Sequence, residues 1–104
     1  MKLIKKKTTR TSKLVEAVAS VSGYSEREVL TSRKHNITPW AHLGIYIARK
    51  TGMTYEEAAW LFGRHFTSGW LSVKKVEDSL QDEGVQESID EIINLTTKLN
   101  NNET

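Results

Sequence analysis

The chain has 104 residues, 38% hydrophobic and 27% charged, the size and balance of one ordinary folded domain. Such a chain hides roughly two-thirds of the surface it exposes when unfolded, enough for one modest core, and wholesale disorder is not expected of it. Zero Cys excludes a disulfide framework, a zinc–thiolate site and every thiol mechanism, while the net charge of +2 decides nothing by itself.

Lys2 to Lys13 carries six positive charges and no acid, so residues 1–11 read as a basic flexible arm, either a solubilising tail or a phosphate-contacting segment. Residues 12–99 read as a single all-α domain of five or six short helices around one core. Leu14, Val15, Val18 and Val21 recur at helical spacing and stop at Gly23. Ser25 and Glu28 make a capping-box pattern ahead of Val29 and Leu30, and the polar, basic run from Thr31 to Asn36 ends that helix early. Thr38-Pro39 predicts a helix start, with Thr38 as the cap and proline at the first helical position, where its missing N–H costs nothing.

From Pro39 the chain is apolar around most of a helix circumference (Trp40, Ala41, Leu43, Ile45, Tyr46, Ile47, Ala48), which predicts a central helix buried on more than one side. Arg49-Lys50-Thr51-Gly52 closes it with cations at the negative end of the dipole and glycine at the exit. Thr54 and Glu57 repeat the capping box, Gly63 makes a tight turn, and a further helix runs from Phe66 or Thr67 to Leu80 with Trp70, Leu71, Val73 and Val76 inward. Trp60, Trp70 and Phe62 are expected to close the core around that turn. Val85, Ile89, Ile92, Ile93, Leu95 and Leu99 stripe a last helix, which serves either internal docking or a homodimer, and residues 100–104 are expected to fray.

The charge divides along the chain. Residues 1–50 hold eleven basic side chains against three acidic ones, a balance of +8, and residues 51–104 hold four against ten, a balance of −6. One end suits a polyanion and the other repels it. The helix pair around Gly63, within residues 54–80, forms a helix-turn-helix pattern whose second helix presents Arg64, His65, Thr67 and Ser68 outward at its start, with Lys74 and Lys75 farther along for the backbone. Arg64 carries the strongest expectation, because a long cation in a turn has no evident packing role.

The stretch Arg33-Lys34-His35-Asn36-Ile37-Thr38-Pro39-Trp40-Ala41-His42-Leu43-Gly44-Ile45-Tyr46-Ile47-Ala48-Arg49-Lys50 resembles the basic loop and following helix of the C-terminal DNA-binding domain of the bacterial replication initiator DnaA. Thr51 to Arg64 is similar to that family's threonine-glycine-leucine-serine to phenylalanine-glycine-glycine-arginine segment, and Lys74-Lys75-Val76-Glu77 falls where the family has arginine-lysine-isoleucine-glutamate. The resemblance covers most of residues 12–80. It implies a compact helical domain that inserts the helix after the turn into the major groove of double-stranded DNA and lays its basic loop on the backbone. Arg33 and Lys34 would then belong to the loop, Arg64 would stand just ahead of the recognition helix, and Thr67 and Ser68 would match the paired threonines near its start.

The departures are specific. His65-Phe66 replaces the family's aspartate-histidine, Trp40 follows Pro39 where the family has arginine, and Gly69-Trp70 stand where the family continues with valine or leucine. The scaffold is retained and the base-reading signature is changed, so recognition of a replication origin is not implied. The chain as given carries no nucleotide-binding domain, so initiator activity is not expected of it.

The expected function is therefore non-enzymatic binding of double-stranded DNA. Arg33, Lys34 and Lys50 would sit on the backbone, Arg64, His65, Thr67 and Ser68 in the groove, and Lys74 and Lys75 on further phosphates. The alternative is a protein-interaction module that has kept the scaffold and lost the DNA, with Trp40 and Phe66 as the partner surface. No cofactor is expected. His35, His42 and His65 lack metal-ligand spacing, no nucleophile elbow or P-loop is present, and the paired carboxylates Glu56-Glu57 and Asp90-Glu91 point apart on their helices. His42, on the central helix, is expected to be partly buried with one ring nitrogen hydrogen-bonded. No segment reaches the roughly 20 apolar residues of a membrane span, and a cytoplasmic domain is expected.

Overall fold

Two capping boxes set the local frame. Ser25 Oγ accepts from the Glu28 amide at 3.1 Å while Glu28 Oε1 accepts from the Ser25 amide at 2.9 Å, and Thr54 and Glu57 repeat the exchange at 3.1 and 2.9 Å. Each box satisfies two amide donors that a helix start otherwise leaves orphaned. The bonds to Ser25 hold the Glu28 carboxyl below the usual carboxylate range.

In this computed structural model, which describes residues 13–102, the chain folds into six helices with no strand among the described residues. Helix α1 covers residues 13–22, α2 Glu26–Thr31, α3 Thr38–Lys50, α4 Tyr55–Leu61, α5 Ser68–Asp78 and α6 Glu83–Asn102. The basic arm expected over 1–11 lies outside these residues. The tail expected to fray from residue 100 is helical as far as Asn102.

Helix α3 is the central element, as its all-round apolar run predicts. Every residue from Leu43 to Ala48 is buried, and α3 packs against α2, α4, α5 and α6. Leu14, Val15, Ala17 and Val18 of α1 and Ile89 and Ile92 of α6 belong to the same core. Of the α6 stripe, Ile89 and Ile92 are buried, Val85, Leu95 and Leu99 pack partly buried against the core, and Ile93 is outward at 43% exposure.

The start of α3 departs from expectation. Thr38 is not the cap: Ile37 holds that position with no side-chain bond, Thr38 is the first helical residue, and Pro39 follows it. The loop is already turning helically at Ile37 (φ −103°, ψ −39°), and the Lys34 carbonyl accepts from the Ile37 and Thr38 amides at 3.1 and 2.9 Å. A backbone carbonyl therefore takes the donors that a capping hydroxyl serves elsewhere, and Thr38 Oγ1 is left without a partner.

The tryptophans are corrected as well. Trp60 is 60% exposed and Trp70 54%, and Leu71, expected inward, is 53% exposed. Helix α4 turns Ala58, Ala59 and, just past its end, Phe62 inward, and α5 does the same with Gly69, Ser72, Val73 and Val76. A helix can turn only one phase toward its neighbours, and here the small residues take the inner one. A Cβ on Gly69 would collide with the backbone carbonyl of Tyr55, so the start of α5 lies directly against the start of α4. The bulky neighbours Trp70 and Leu71 are rotated out to solvent by the same close approach.

Candidate nucleic-acid interface

Residues 62–67 connect α4 to α5. Gly63 opens this connection at φ +69°, and a Cβ there would press into the Leu30 carbonyl oxygen, so only glycine fits both the backbone and the approach to α2. The next residue decides what the connection does. Arg64 is only 6% exposed, and its guanidinium lies inside the fold rather than out in solvent. Nη1 donates to the carbonyls of Val29 at 2.6 Å, Phe62 at 2.7 Å and Leu30 at 3.4 Å, and Nη2 to Ser32 at 2.9 Å.

Phe62 caps the end of α4, and Val29, Leu30 and Ser32 present orphan carbonyls at the end of α2, a six-residue helix with no basic residue in its own last turn. A cation at that negative helix end is also favoured by the dipole. Arg64 is therefore a structural staple, and the expectation that it faces a groove is corrected. Burial, together with the neighbouring charge of Arg33, pushes its pKa down to about 10.

Arg33 works beside it from the surface. Its Nη2 donates to the Gly63 carbonyl at 3.0 Å, and its Nη1 to those of Thr31 at 3.2 Å and Ser32 at 3.4 Å. The loop it belongs to is further shaped by Ser32 Oγ, which accepts from the Lys34 amide at 3.2 Å. The Asn36 side-chain amide donates to the Tyr24 hydroxyl at 3.0 Å. The basic loop is thereby pinned against the α4–α5 connection, with Lys34 exposed at its edge.

The remaining expected contacts divide by position. Lys74 and Lys75 are exposed on the outer face of α5 and make no ion pair among the described residues, while Ser68 is half-buried at the helix start. His65 and Thr67 are exposed but hold each other, since His65 Nδ1 lies 3.0 Å from Thr67 Oγ1 and accepts from the Thr67 amide at 3.4 Å. Lys50 lies over the Tyr46 ring at 5.5 Å, toward the end of α3 away from His42 and Lys75. It does not join the other cations.

Of the expected partner surface, Phe66 is outward, 42% exposed, with its ring stacked at 4.4 Å on that of His65. Trp40 is half-buried against the core instead of standing free. It lines a cleft of about 760 Å³ with Pro39, His42, Lys75, Val76 and Val85, between the start of α3, the end of α5 and the start of α6. Among the described residues no His, Asp or Glu cluster is arranged to hold a metal ion, and no helix is long and apolar enough to cross a membrane.

His42 is half-buried, as expected, but its ring makes no hydrogen bond among the described residues. Burial holds its pKa below the ordinary value, and the charges of Lys75 and Arg64 push the same way. The unfolded ring takes up its proton near about 6.5, so below that pH the unfolded state binds more protons than the folded one. The stability associated with neutral His42 is complete above the unfolded value and is lost as pH falls toward the lower folded value. Thermal unfolding should accordingly move to lower temperature between about pH 7.5 and about pH 5, and less so in His42→Gln. Equal losses in both proteins would remove His42 from the account.

The signal for Arg64 is present in the sequence, though indirect. A short helix ending in Thr31-Ser32 has no cation of its own to close it, and an arginine after a left-handed glycine is the donor that supplies one. No protein-family model and no curated protein matches this chain.

Proposed function

We propose that the chain is a non-enzymatic nucleic-acid-binding domain that docks double-stranded DNA against the outer face of α5 and the basic loop at Arg33 and Lys34. On this reading α4 and α5 act as a helix-turn-helix in a divergent form of the DnaA C-terminal scaffold, and the protein works in the cytoplasm where its DNA is. The observation that supports it is the bond from Arg33 Nη2 to the Gly63 carbonyl at 3.0 Å. It joins the basic loop to the connection that leads into α5, and this supports reading the loop and the helix as parts of one docking surface. Lys75 and Arg64 both act electrostatically on His42, and Arg33 on Arg64, while Asp78 and Asp82 stand beside Lys75 in the cleft at the other end of α5. The cations among these groups suit phosphates and release their counterions on binding.

The test is fluorescence anisotropy of a labelled random-sequence duplex at low and at near-physiological salt. Binding is expected with a Kd on the order of micromolar, weakening steeply with salt. Lys74→Ala/Lys75→Ala should weaken it on every sequence and reduce the salt slope by about two. Arg64 is left intact, because its replacement would report on folding. No binding at low salt would sink the reading.

The second reading, a protein-interaction module, is favoured by one observation. The outer face of α5 shows Trp70 and Leu71 to solvent, and exposed apolar side chains grouped in one place commonly mark a partner surface.

A further inference from the structure

The outer face of α5 carries large apolar groups where a reader of duplex DNA needs polar ones. Trp70 and Leu71, at 54% and 53% exposure, occupy its first turn, and Phe66, at 42%, stands just ahead of it. Base edges in the major groove are donors, acceptors and the thymine methyl, and an indole or phenyl face matches few of them. The flat faces of the bases, which do match, are hidden in a closed duplex and open in a single strand. We propose that this face holds unpaired bases, with Trp70 and Phe66 stacking on them and Lys74 and Lys75 holding the flanking phosphates. This rests on the nucleic-acid part of the reading above, with Lys74 and Lys75 on phosphates, and replaces closed duplex at this face by a single strand or an opened duplex.

Two further features choose the occupant. The aromatics are interleaved with cations at helical spacing: Lys74 follows Trp70, and Lys75 follows Leu71, by four residues, roughly 6 Å along the helix. Both lysines are exposed and without an ion pair among the described residues, and unpaired lysines are depleted from the centres of protein–protein interfaces. A polyanion with accessible ring faces complements both groups at once. The second feature is the His65–Phe66 pair, whose rings are 4.4 Å apart and tilted by 33°. His65 is itself tied to Thr67 at 3.0 Å, so the phenyl ring has a fixed backing and less freedom to lose when a base stacks on its open side.

The experiment compares two labelled probes of equal length and matched ionic strength, an unstructured oligothymidylate and a random-sequence duplex, against the full chain by anisotropy. Intrinsic tryptophan fluorescence is read in parallel. The single strand should bind at least as tightly as the duplex and quench the tryptophan emission. Trp70→Ala should weaken the single strand about tenfold and the duplex less than about twofold. Phe66→Ala is the second variant and should weaken the single strand in the same direction, and helical circular dichroism verifies that both stay folded. Duplex binding without single-strand binding, or single-strand binding indifferent to both substitutions, overturns this inference and leaves the DNA reading standing. Binding of neither probe at low salt overturns both.

Discussion

Replacing Arg64 with alanine should destabilise the fold by about 3 kcal/mol, a large fraction of what a domain of this size has to lose. The guanidinium serves four backbone carbonyls while only 6% exposed. Its removal takes the guanidinium donor from the Val29 and Phe62 carbonyls, where those bonds are buried, and it separates the end of α2 from the connection at Gly63. Arg64→Lys should recover little, because a single ammonium lacks the fork that spans Val29, Phe62 and Ser32 together. Urea unfolding followed by circular dichroism measures both. A side chain standing in solvent to meet phosphate would instead change stability by less than about 0.5 kcal/mol and affect only binding. A shift that small in Arg64→Ala would refute the staple. Arg33, exposed and hydrogen-bonded across the same junction, is expected to cost clearly less. Loss of DNA binding in an Arg64 variant is therefore evidence about folding before it is evidence about an interface.

The contrast between Arg64 and the tryptophans shows what the sequence could carry. Local signals were legible. Both capping boxes form between the residue pairs that their spacing names, Gly23 and Gly52 follow α1 and α3, and α3 is buried along most of its length as its continuous apolar run requires. These features depend on neighbours within a turn or two. Phase was not legible where a helix has apolar residues on both candidate faces. In α5, Trp70 and Leu71 outweigh Gly69 and Ser72 in hydrophobicity, yet the small pair is buried because α4 and α5 approach backbone to backbone. The role of Arg64 was legible only indirectly, through the uncapped end of α2, since its acceptors at Val29 to Ser32 lie more than thirty residues away and no periodicity connects them. The candidate interface was half legible. Lys34, Lys74, Lys75 and Phe66 are outward as read, whereas Arg64 and Trp40 are turned into the fold.

The second large effect is expected at the contact between Gly44 and Phe62. Gly44 sits in the middle of α3, where alanine would ordinarily gain about 0.8–1.0 kcal/mol of helix stability. Here the phenyl ring of Phe62, fully buried, lies directly over the glycine, and a Cβ would occupy the space of the ring atoms. The sign should therefore reverse: Gly44→Ala is expected to destabilise by about 1–3 kcal/mol, the usual cost of overpacking. Phe62→Ala should cost roughly 3–5 kcal/mol, because it empties a site in contact with the central helix. The test of the contact itself is the pair. Phe62→Leu alone opens part of the ring's volume, and Gly44→Ala places a methyl there, so the double variant should be more stable than the sum of the single losses by about 1 kcal/mol. Strict additivity, or a Gly44→Ala protein more stable than the parent, would show that the ring does not rest on α3. The coupling matters beyond the core because Phe62 is two residues from Arg64 and begins the connection into α5. The depth at which its ring seats on Gly44 sets where the connection meets α2, and hence where the outer face of α5 stands relative to the basic loop.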